Sequence, residues 1–425
     1  MAFTYHKALK ALQRIDQTQG LDSILEKLKN PPFPDATRDS FPIREMFNAS
    51  GRAMRLDFLK NETGKEFPFL NGSQRLEDFD QLAGNIENFI GMSQVPTGVI
   101  GPLRVIGTAA EGDFFVPLAT SEGALVASYH RGAKATHLAG GVRSVCLTQG
   151  VQRAPMFRFK DLSDLGKFII WLLPLDQQFR DIVAQTSRFA QLDDISTNIE
   201  GNQLTIIFNY TTGDASGQNM VTICTDAICK WIIENAPIKP EYWFIEGNFS
   251  GDKKATAMSF MNVRGKKVTA EVQLSADIVS QVLKTTSRKM AQYWQSSTVG
   301  IIQTGSIGAQ GHYANGLAAL FIATGQDAAC VSEAAVGITR MEETSDGGLY
   351  AAVTLPNLIV GTVGGGTGLP TQRECLEMMG CAGTGSARKY AEIAAALVLA
   401  GELSIAAALS AGHFTSAHQK LGRKS

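Results

Sequence analysis

The sequence predicts an α+β protein with more than one domain, on three observations. The chain has 425 residues, which is more than a single hydrophobic core usually organises. Strand and helix patterns alternate between residues 154 and 245, which is typical of a small α+β domain. Residues 391–411 form an Ala/Leu-rich run whose only charged members are Glu392 and Glu402. We therefore expect a long buried helix there.

The composition excludes several classes of protein. Hydrophobic residues make up 44% of the chain and charged residues 19%, which is the balance of a folded protein rather than a disordered one. The formal net charge of −1 argues against nucleic-acid binding, because neutralising phosphates needs a basic surplus. The N-terminus lacks the features of a secretory signal, and no uninterrupted apolar run is long enough to span a membrane. We expect a cytoplasmic protein that binds neither nucleic acid nor membrane.

The first part of the chain predicts a helical region followed by a strand pair and a helix. Residues 1–86 are polar and proline-marked, with short helical patterns such as 50–60. Residues 87–101 resemble a loop, and strands are predicted near 103–106 and 114–117. Thr120 to Glu122 offer cap residues for a helix over 124–138, which the glycines at 140 and 141 end.

The middle and C-terminal parts complete the domain plan. The small domain contains predicted strands at 156–159, 204–211 and 242–245, and helices at 169–187 and 219–235. Further along, we predict a strand at 267–272, helices at 276–295 and 307–324, and a β-rich segment at 351–363. The predicted domains are an N-terminal helical region (1–86), a large domain (87–153 with 246–425) and a small domain inserted in it (154–245).

Four polar groups lie in apolar or glycine-rich surroundings and could carry chemistry. They are Glu122 at a helix start, Lys253 in a GDKK turn, Asp327 after the apolar run LAALFIAT, and the histidines at 413 and 418. Each also has an ordinary explanation: compensation of the helix dipole, a charged turn, or surface histidines near a terminus. Asp327 is the hardest to explain in that way, because an unpaired carboxylate beside an apolar run is costly to bury.

Two glycine-bearing segments could hold a ligand. Residues 214–219 (DASGQN) join a strand to a helix, where backbone N–H groups can bind an anion. Residues 361–367 (GTVGGGT) would let a ligand approach the backbone closely. A tight structural turn explains each segment equally well. The motifs GxGxxG, GxxxxGK[ST], GxSxG and HExxH are absent, and no cysteine or histidine spacing predicts a metal site. Together these parts indicate an enzyme that acts on an anionic ligand.

Seven segments in a fixed order identify a family resemblance. They are ENFIGMSQVPTGVIGPL (87–103), ATSEGALVASYHRGAKA (119–135), DASGQNM (214–220), GNFSGDKKATA (247–257), GQDAACVSEA (325–334), PNLIVGTVGGGTGLP (356–370) and AGELSIAAALSAGHFTSAH (400–418). The chain resembles the hydroxymethylglutaryl-CoA reductases of the class I type over about residues 87–418. So many co-linear segments are far more specific than any one motif.

The resemblance implies an architecture and a reaction. The family has a large domain built around a long central helix, with an inserted ferredoxin-like domain that binds the nicotinamide cofactor. Its active sites lie between subunits, which implies a homodimer or a dimer of dimers. The reaction is the four-electron reduction of an acyl-CoA thioester to a primary alcohol, by default hydroxymethylglutaryl-CoA to mevalonate, with NADPH as the reductant.

The resemblance also implies the catalytic residues. Lys253 matches the lysine that stabilises the developing oxyanion, and Asp327 matches the aspartate that orients this lysine. Glu122 matches the glutamate that donates a proton to the reduced carbonyl. His418 matches the histidine that protonates the departing thiolate.

Cofactor and coenzyme contacts follow in the same way. The resemblance assigns cofactor binding to Asp214, Gly217, Asn219, Gly364, Gly365 and Gly366, and the extra phosphate of NADPH to Ser187, Arg188 and Phe189. An arginine fork suits that phosphate. The residues that match coenzyme A contacts are Ser128, His130, Arg131 and His312.

The acyl pocket departs from the family pattern. The residues that match it are Arg153, Asn248, Lys254 and Asn315. Glu246, however, stands where the family has a serine, and Ser296 aligns with the lysine that pairs with the free carboxylate of the substrate. A lost cation and a gained anion both disfavour a carboxylate ligand.

These departures leave two other hypotheses open. One is the same reduction on a neutral or cationic acyl thioester, carried by CoA or by a carrier protein in a specialised biosynthetic pathway. The other is a non-catalytic relative that serves as a binding protein. All four catalytic positions are filled, which argues against the second hypothesis.

Overall fold

The computed structural model describes residues 5–29, 41–42 and 46–412. Within these residues the strands are β1 (Thr97–Gly107), β2 (Glu111–Ala119), β3 (Val142–Arg153), β4 (Met156–Arg158), β5 (Gln191–Glu200), β6 (Gln203–Thr211), β7 (Tyr242–Phe244), β8 (Gly265–Leu274), β9 (Ile338–Glu343) and β10 (Leu349–Leu358). The α-helices are α1 (Tyr5–Gln19), α2 (Leu21–Lys29), α3 (Ala49–Thr63), α4 (Pro68–Asn71), α5 (Leu125–Leu138), α6 (Leu162–Leu172), α7 (Asp176–Thr186), α8 (Gln218–Asn235), α9 (Ala276–Ile278), α10 (Ser287–Thr304), α11 (Tyr313–Thr324), α12 (Val331–Ala334), α13 (Pro370–Met378) and α14 (Ala387–Ser410).

One long strand joins the two sheets of the molecule. Strand β3 pairs with β8 over residues 143–150, in the sheet that also holds β1, β2, β9 and β10. Its last three residues, 151–153, pair instead with β6 of the second sheet. Arg153 at the end of β3 therefore lies at the junction of the two sheets.

The core of the large domain is built around α14, as the sequence predicts. The helix packs against α5, α10, α11 and strands β3, β8 and β10. It is long and apolar enough to cross a membrane, but 83% of its most apolar window is buried inside the protein, so it is a core helix. Its two carboxylates are buried with backbone N–H partners. Glu392 accepts from Ala109, Ala110 and Cys146, and Glu402 accepts from the backbone of residues 311 and 312.

The contact between α5 and α14 depends on Gly132. A Cβ atom at this position would lie 1.8 Å from the carbonyl oxygen of Ala400. We expect Gly132→Ala to lower the free energy of unfolding by about 2–3 kcal/mol, because helix α14 would have to move. Gly166 on α6 is the matched control, since nothing lies within 4 Å of a Cβ there. Gly166→Ala should raise stability by about 0.5–1 kcal/mol. Urea unfolding of both variants tests this, and equal midpoints would contradict the close packing.

The second sheet has the topology of a ferredoxin-like domain. Its elements follow the order β4, α6 with α7, β5, β6, α8, β7, and the strands lie antiparallel in the order β7-β4-β6-β5. A separate hydrophobic core, with Phe157, Phe168, Phe208 and Ile228 at its centre, fills the space between sheet and helices. The α+β class and the ferredoxin-like fold are thus confirmed, while the domain limits at residues 154 and 245 stay a prediction.

The helix predicted at 276–295 is wrong in its bounds. The chain forms α9, then a π-helical turn at Val279–Leu283, and Lys284 adopts the left-handed conformation with φ 61°. Helix α10 starts only after Thr286, whose hydroxyl accepts a hydrogen bond from the Lys289 backbone N–H. The helix predicted at 307–324 likewise begins only at Tyr313, because the glycine-rich residues before it form turns.

Other differences arise where local patterns were weak. The predicted cap of α5 is wrong: Ala124 holds the cap position with φ 70° and no side-chain bond, while Thr120 accepts from the Glu122 N–H. The helix predicted at 169–187 is two helices, since Pro174 separates α6 from α7. Strands β3, β5 and β9 were not predicted, because polar residues interrupt their apolar alternation.

Candidate active site

Lys253 and Asp327 form an ion pair. The Lys253 Nζ atom lies 2.8 Å from Asp327 Oδ2, and both side chains are partly exposed. The hydrogen bond with Asp327 raises the pKa of the Lys253 ammonium, against a smaller effect of burial. Burial opposes ionisation of the Asp327 carboxyl, but the hydrogen bonds from Lys253 and the Ala329 backbone outweigh it and lower that pKa. The pair therefore presents a stable cation, which can stabilise an oxyanion.

The turn after α11 fixes the position of Asp327. Helix α11 ends at Thr324, and Gly325, with φ 70°, caps its C-terminus. The Gln326 side chain then accepts from the Gly361 N–H and donates to the Gly361 carbonyl oxygen, both at 2.9 Å. Asp327 Oδ1 accepts a hydrogen bond from the Ala329 N–H. The carboxylate is thus held by its own turn and by the segment that carries the glycine run.

The glycine run lies between the DASGQN loop and the Asp327 turn. A Cβ at Gly361 would lie 2.5 Å from the Ser216 nitrogen, and one at Gly366 would lie 2.7 Å from the Gly325 oxygen. Only glycine allows these backbone segments to approach so closely. At Gly364 and Gly365, by contrast, no atom lies within 4 Å of the position that a Cβ atom would occupy. The structure therefore brings both predicted glycine-bearing segments beside the Lys253–Asp327 pair.

The side chains of the DASGQN loop have different surroundings. Asp214 accepts hydrogen bonds from the backbone N–H groups of Gly385 and Ala387, so its carboxylate ties the small domain to the start of α14. Gly217 precedes α8 with φ 81°, and Asn219 is exposed. Asp214 thus shapes the loop, and Gly217 is buried against Thr212.

The residues matched to the extra phosphate lie between α7 and β5. Ser187 Oγ accepts hydrogen bonds from the backbone N–H groups of Phe189 and Ala190, which forms a tight turn. Arg188 and Phe189 are exposed at its tip. An exposed arginine on an ordered turn fits the phosphate-binding role, which stays a prediction.

Arg153 is engaged by two carboxylates. Its Nη1 lies 3.4 Å from Glu246 Oε2 and 3.2 Å from Asp252 Oδ2, and its side chain is 9% exposed. Its Nη2 donates to the Gln218 carbonyl oxygen. Glu246 also accepts weakly from the Ala154 N–H, at 3.3 Å. The guanidinium predicted to contact the acyl group is therefore neutralised within the protein.

Three other predicted pocket residues are exposed. Lys254 donates to the Asp252 carbonyl oxygen and is exposed, and Asn248 is exposed with φ 63°. Ser296 is exposed on α10, whose buried face packs on β9 and α14.

Glu122 lies at the opposite end of α11 from Asp327. Its Oε2 accepts a hydrogen bond from Asn315 Nδ2 at 2.8 Å. Asn315 is in the first turn of α11, and Asp327 follows the last turn. With a rise of 1.5 Å per residue, Asn315 and the end of the helix at Thr324 are about 14 Å apart. One chain therefore does not bring Glu122 to the Lys253–Asp327 pair.

The residues matched to coenzyme A gather around α14. Ser128 and Arg131 bond to Ser404, with Arg131 Nη2 donating to its carbonyl oxygen at 2.6 Å. His312 stacks on Tyr129 and lies 3.3 Å from Glu402. His130 is buried. The side chains form one neighbourhood but are already engaged in the protein, so their role in coenzyme binding stays a prediction.

Sequence reasoning missed three charged residues at this site. Asp252, Arg264 and Glu333 are linked by bonds of 2.8 Å between Arg264 and each carboxylate. The signal for Glu333 was a carboxylate among small apolar residues, since such a group needs a buried partner. Asp252 stands next to Lys253 in the motif itself. His418 lies outside the described residues.

The chain is similar to proteins of one known family. The family model described as hydroxymethylglutaryl-coenzyme A reductase matches residues 51–423. The chain is 43% identical to the 3-hydroxy-3-methylglutaryl-coenzyme A reductase of Aeropyrum pernix, covering 95% of this chain and 96% of that protein. It is 40% identical to the enzyme of that name from Methanocaldococcus jannaschii, covering 95% and 100%.

Solved structures show the same fold. The class II 3-hydroxy-3-methylglutaryl-CoA reductase of Streptococcus pneumoniae, bound to NADPH in open conformations, aligns with a TM-score of 0.66 at 20% identity. The alignment covers 84% of this chain and 96% of that one. The chain therefore belongs to the hydroxymethylglutaryl-coenzyme A reductase family, as the order of its motifs predicts.

Proposed function

We propose that this protein catalyses the four-electron reduction of hydroxymethylglutaryl-CoA to mevalonate with NADPH. The observation that carries the proposal is the Lys253–Asp327 pair, at 2.8 Å, beside two glycine-bearing segments that leave room for a ligand. Family membership supplies the substrate and the reaction type. When bound, NADPH supplies the reducing equivalents, two molecules for each alcohol formed.

Different residues of the chain stabilise charge and transfer protons during the reaction. Lys253 holds positive charge next to the thioester oxygen as it becomes an oxyanion, and Asp327 keeps the ammonium protonated and oriented. Glu122 returns a proton to the reduced oxygen. His418 protonates the thiolate that leaves as free CoA, because a neutral thiol is the better leaving group.

The cofactor-binding residues are proposed on the same basis. The backbone around Gly217 and Gly364 to Gly366 would lie against the nicotinamide half of NADPH. Arg188, on the turn after α7, would pair with the extra phosphate that distinguishes NADPH from NADH. Support comes from the open space at Gly364 and Gly365 and from the exposure of Arg188.

The active enzyme is proposed to be a homodimer, or a dimer of dimers, with active sites between subunits. The separation of Glu122 from Lys253 by the length of α11 supports this, since a second copy can bring Glu122 to the pair. Residues 83–96 also form no regular element and expose Ile86, Ile90 and Met92, an apolar surface suited to a second copy. A soluble, cytoplasmic location belongs to the same proposal.

The direct test is turnover by the purified protein. We expect NADPH consumption with hydroxymethylglutaryl-CoA, two NADPH for each mevalonate identified by mass, and slower consumption of NADH because Arg188 has no phosphate to bind. Rates in the ordinary enzyme range, about 1–10³ s⁻¹, would support the proposal. An absence of mevalonate with either cofactor would contradict it.

One observation favours a second candidate. Arg153 is paired with Glu246 and Asp252, so the pocket offers little positive charge to a free carboxylate. The same chemistry on a thioester with an uncharged or cationic acyl group would suit this arrangement. A panel of such thioesters, in the assay above, separates the two substrates by kcat/KM.

A further inference from the structure

The backbone of Lys253 is held in an unfavourable conformation. Its φ is 56°, in the left-handed region, which side chains with a Cβ atom rarely adopt. Its backbone N–H donates a hydrogen bond of 3.0 Å to Oε1 of Glu333. The carboxylate of Glu333 is completely buried. A rigid acceptor thus fixes the peptide from which the Lys253 side chain starts.

The second oxygen of Glu333 is bound by Arg264. Arg264 Nε donates to Glu333 Oε2 at 2.8 Å, and the arginine side chain is 2% exposed. Its Nη2 lies 2.8 Å from Asp252 Oδ1, and its Nη1 donates to the Gln152 carbonyl oxygen. One buried guanidinium therefore holds the carboxylate that binds Lys253 and the side chain of the preceding residue.

A single segment contacts Lys253 at both ends. Asp327 accepts from its ammonium, and Glu333, six residues later, accepts from its backbone N–H. The 3₁₀ turn Ala328–Cys330 and α12 connect the two carboxylates. The distance between the Lys253 peptide and its ammonium site is thus set by this short segment.

We infer that Glu333 and Arg264 are positioning residues that hold the Lys253 backbone so that its ammonium meets Asp327. The inference rests on the proposed function, in which Lys253 is catalytic. Stability alone does not explain the pair, because buried ion pairs are often no more stable than apolar residues of the same volume. Burial also raises the pKa of Glu333 in spite of Arg264, so ionisation of this carboxyl is costly in the fold.

Substitution of Glu333 tests the inference. We expect Glu333→Ala to lower kcat by about 10²-fold, because a misplacement near 1 Å has that effect, with KM for both substrates nearly unchanged. Glu333→Gln keeps one carbonyl oxygen for the Lys253 N–H and should recover part of the loss. Glu392→Gln is the control: this carboxylate is also buried with backbone donors, but far along the chain from the site. It should lower the unfolding temperature and leave kcat unchanged.

A second measurement does not depend on turnover. The charged or titratable groups that face the Lys253 ammonium are Asp327, Asp252 and Cys330. Labelling with acetic anhydride over a pH series, followed by peptide mass spectrometry, reports the pKa of Lys253. In Glu333→Ala the ammonium should lose Asp327 and its pKa should fall toward the ordinary value. Glu333→Gln should give a smaller fall.

The outcomes separate the inference from the proposed function. A parent protein that forms no mevalonate contradicts the proposed function, while the labelling still decides the role of Glu333. Folded Glu333 variants with parental kcat and parental Lys253 labelling would overturn the inference. If Glu333→Ala does not fold, Glu333→Gln and Arg264→Lys, which keep size or charge, give the same comparison. Equal losses of kcat in Glu392→Gln and Glu333→Gln would also overturn it, since any buried carboxylate would then have the same effect.

Discussion

Replacing Lys253 with methionine is expected to lower kcat for thioester reduction by about 10²–10³-fold, while NADPH binding stays intact. Methionine keeps the apolar stem and removes the ammonium that lies 2.8 Å from Asp327, so the oxyanion loses its electrostatic partner. Glu122→Gln should cost a comparable or larger factor, about 10²–10⁴, because an amide does not donate the required proton. Steady-state rates and NADPH fluorescence titrations measure the two effects.

Co-expression of the two inactive variants tests the arrangement between subunits. If Glu122 and Lys253 come from different chains, each mixed dimer has one intact site and one site with both changes. Random mixing makes half the dimers mixed, so activity should return to about one quarter of the parental value. Lys253→Met with Asp327→Asn is the matched control, because these residues contact each other within one chain. That mixture should stay inactive.

A failure of the first mixture, with mixed dimers detected by mass, would contradict the intersubunit site. Activity in the control mixture would contradict the assignment of Lys253 and Asp327 to one site from the same chain. The two results together therefore distinguish a site formed between subunits from a site formed within one chain.

The sequence predicted those parts of the fold that local patterns determine. The run of small apolar residues at 391–411 predicts a buried helix, and α14 is one. The helix predicted at 219–235 begins at Gln218 and ends at Asn235, because turns bound it on both sides. The helix predicted at 276–295 failed because Lys284, with φ 61°, interrupts a pattern that looks continuous in the sequence.

Contacts between distant residues explain what the sequence did not predict at the site. The Lys253–Asp327 pair was expected from the resemblance, and the structure brings the two together. The bond from Arg264 to Glu333 joins residues 69 positions apart, and nothing in either local pattern names the partner. Asp214 was expected at the cofactor, yet its carboxylate binds the backbone of Gly385, 171 positions away.

Replacing Glu246 with serine is expected to raise kcat/KM for hydroxymethylglutaryl-CoA by about 10- to 100-fold. The substrate has a free carboxylate, and Glu246 places a second negative charge 3.4 Å from the Arg153 guanidinium. Like charges at such a site cost several kcal/mol, and each 1.4 kcal/mol is about tenfold in affinity. Serine removes the repulsion and leaves Arg153 with Asp252 as its only carboxylate among the described residues.

Two further variants separate charge from loop structure. The Ala154 N–H donates a hydrogen bond to Glu246. Glu246→Gln keeps an oxygen that can accept this bond and removes only the charge. It should therefore give most of the gain in kcat/KM. Glu241→Ser removes an exposed carboxylate of the same segment and should leave kcat/KM unchanged. A higher kcat/KM for hydroxymethylglutaryl-CoA, with a lower kcat/KM for an amine-bearing acyl thioester, would identify Glu246 as the residue that selects the acyl group. If the parent already turns over hydroxymethylglutaryl-CoA rapidly, with the same kcat/KM as both Glu246 variants, then the Glu246–Arg153 pair stabilises the loop and does not select the substrate.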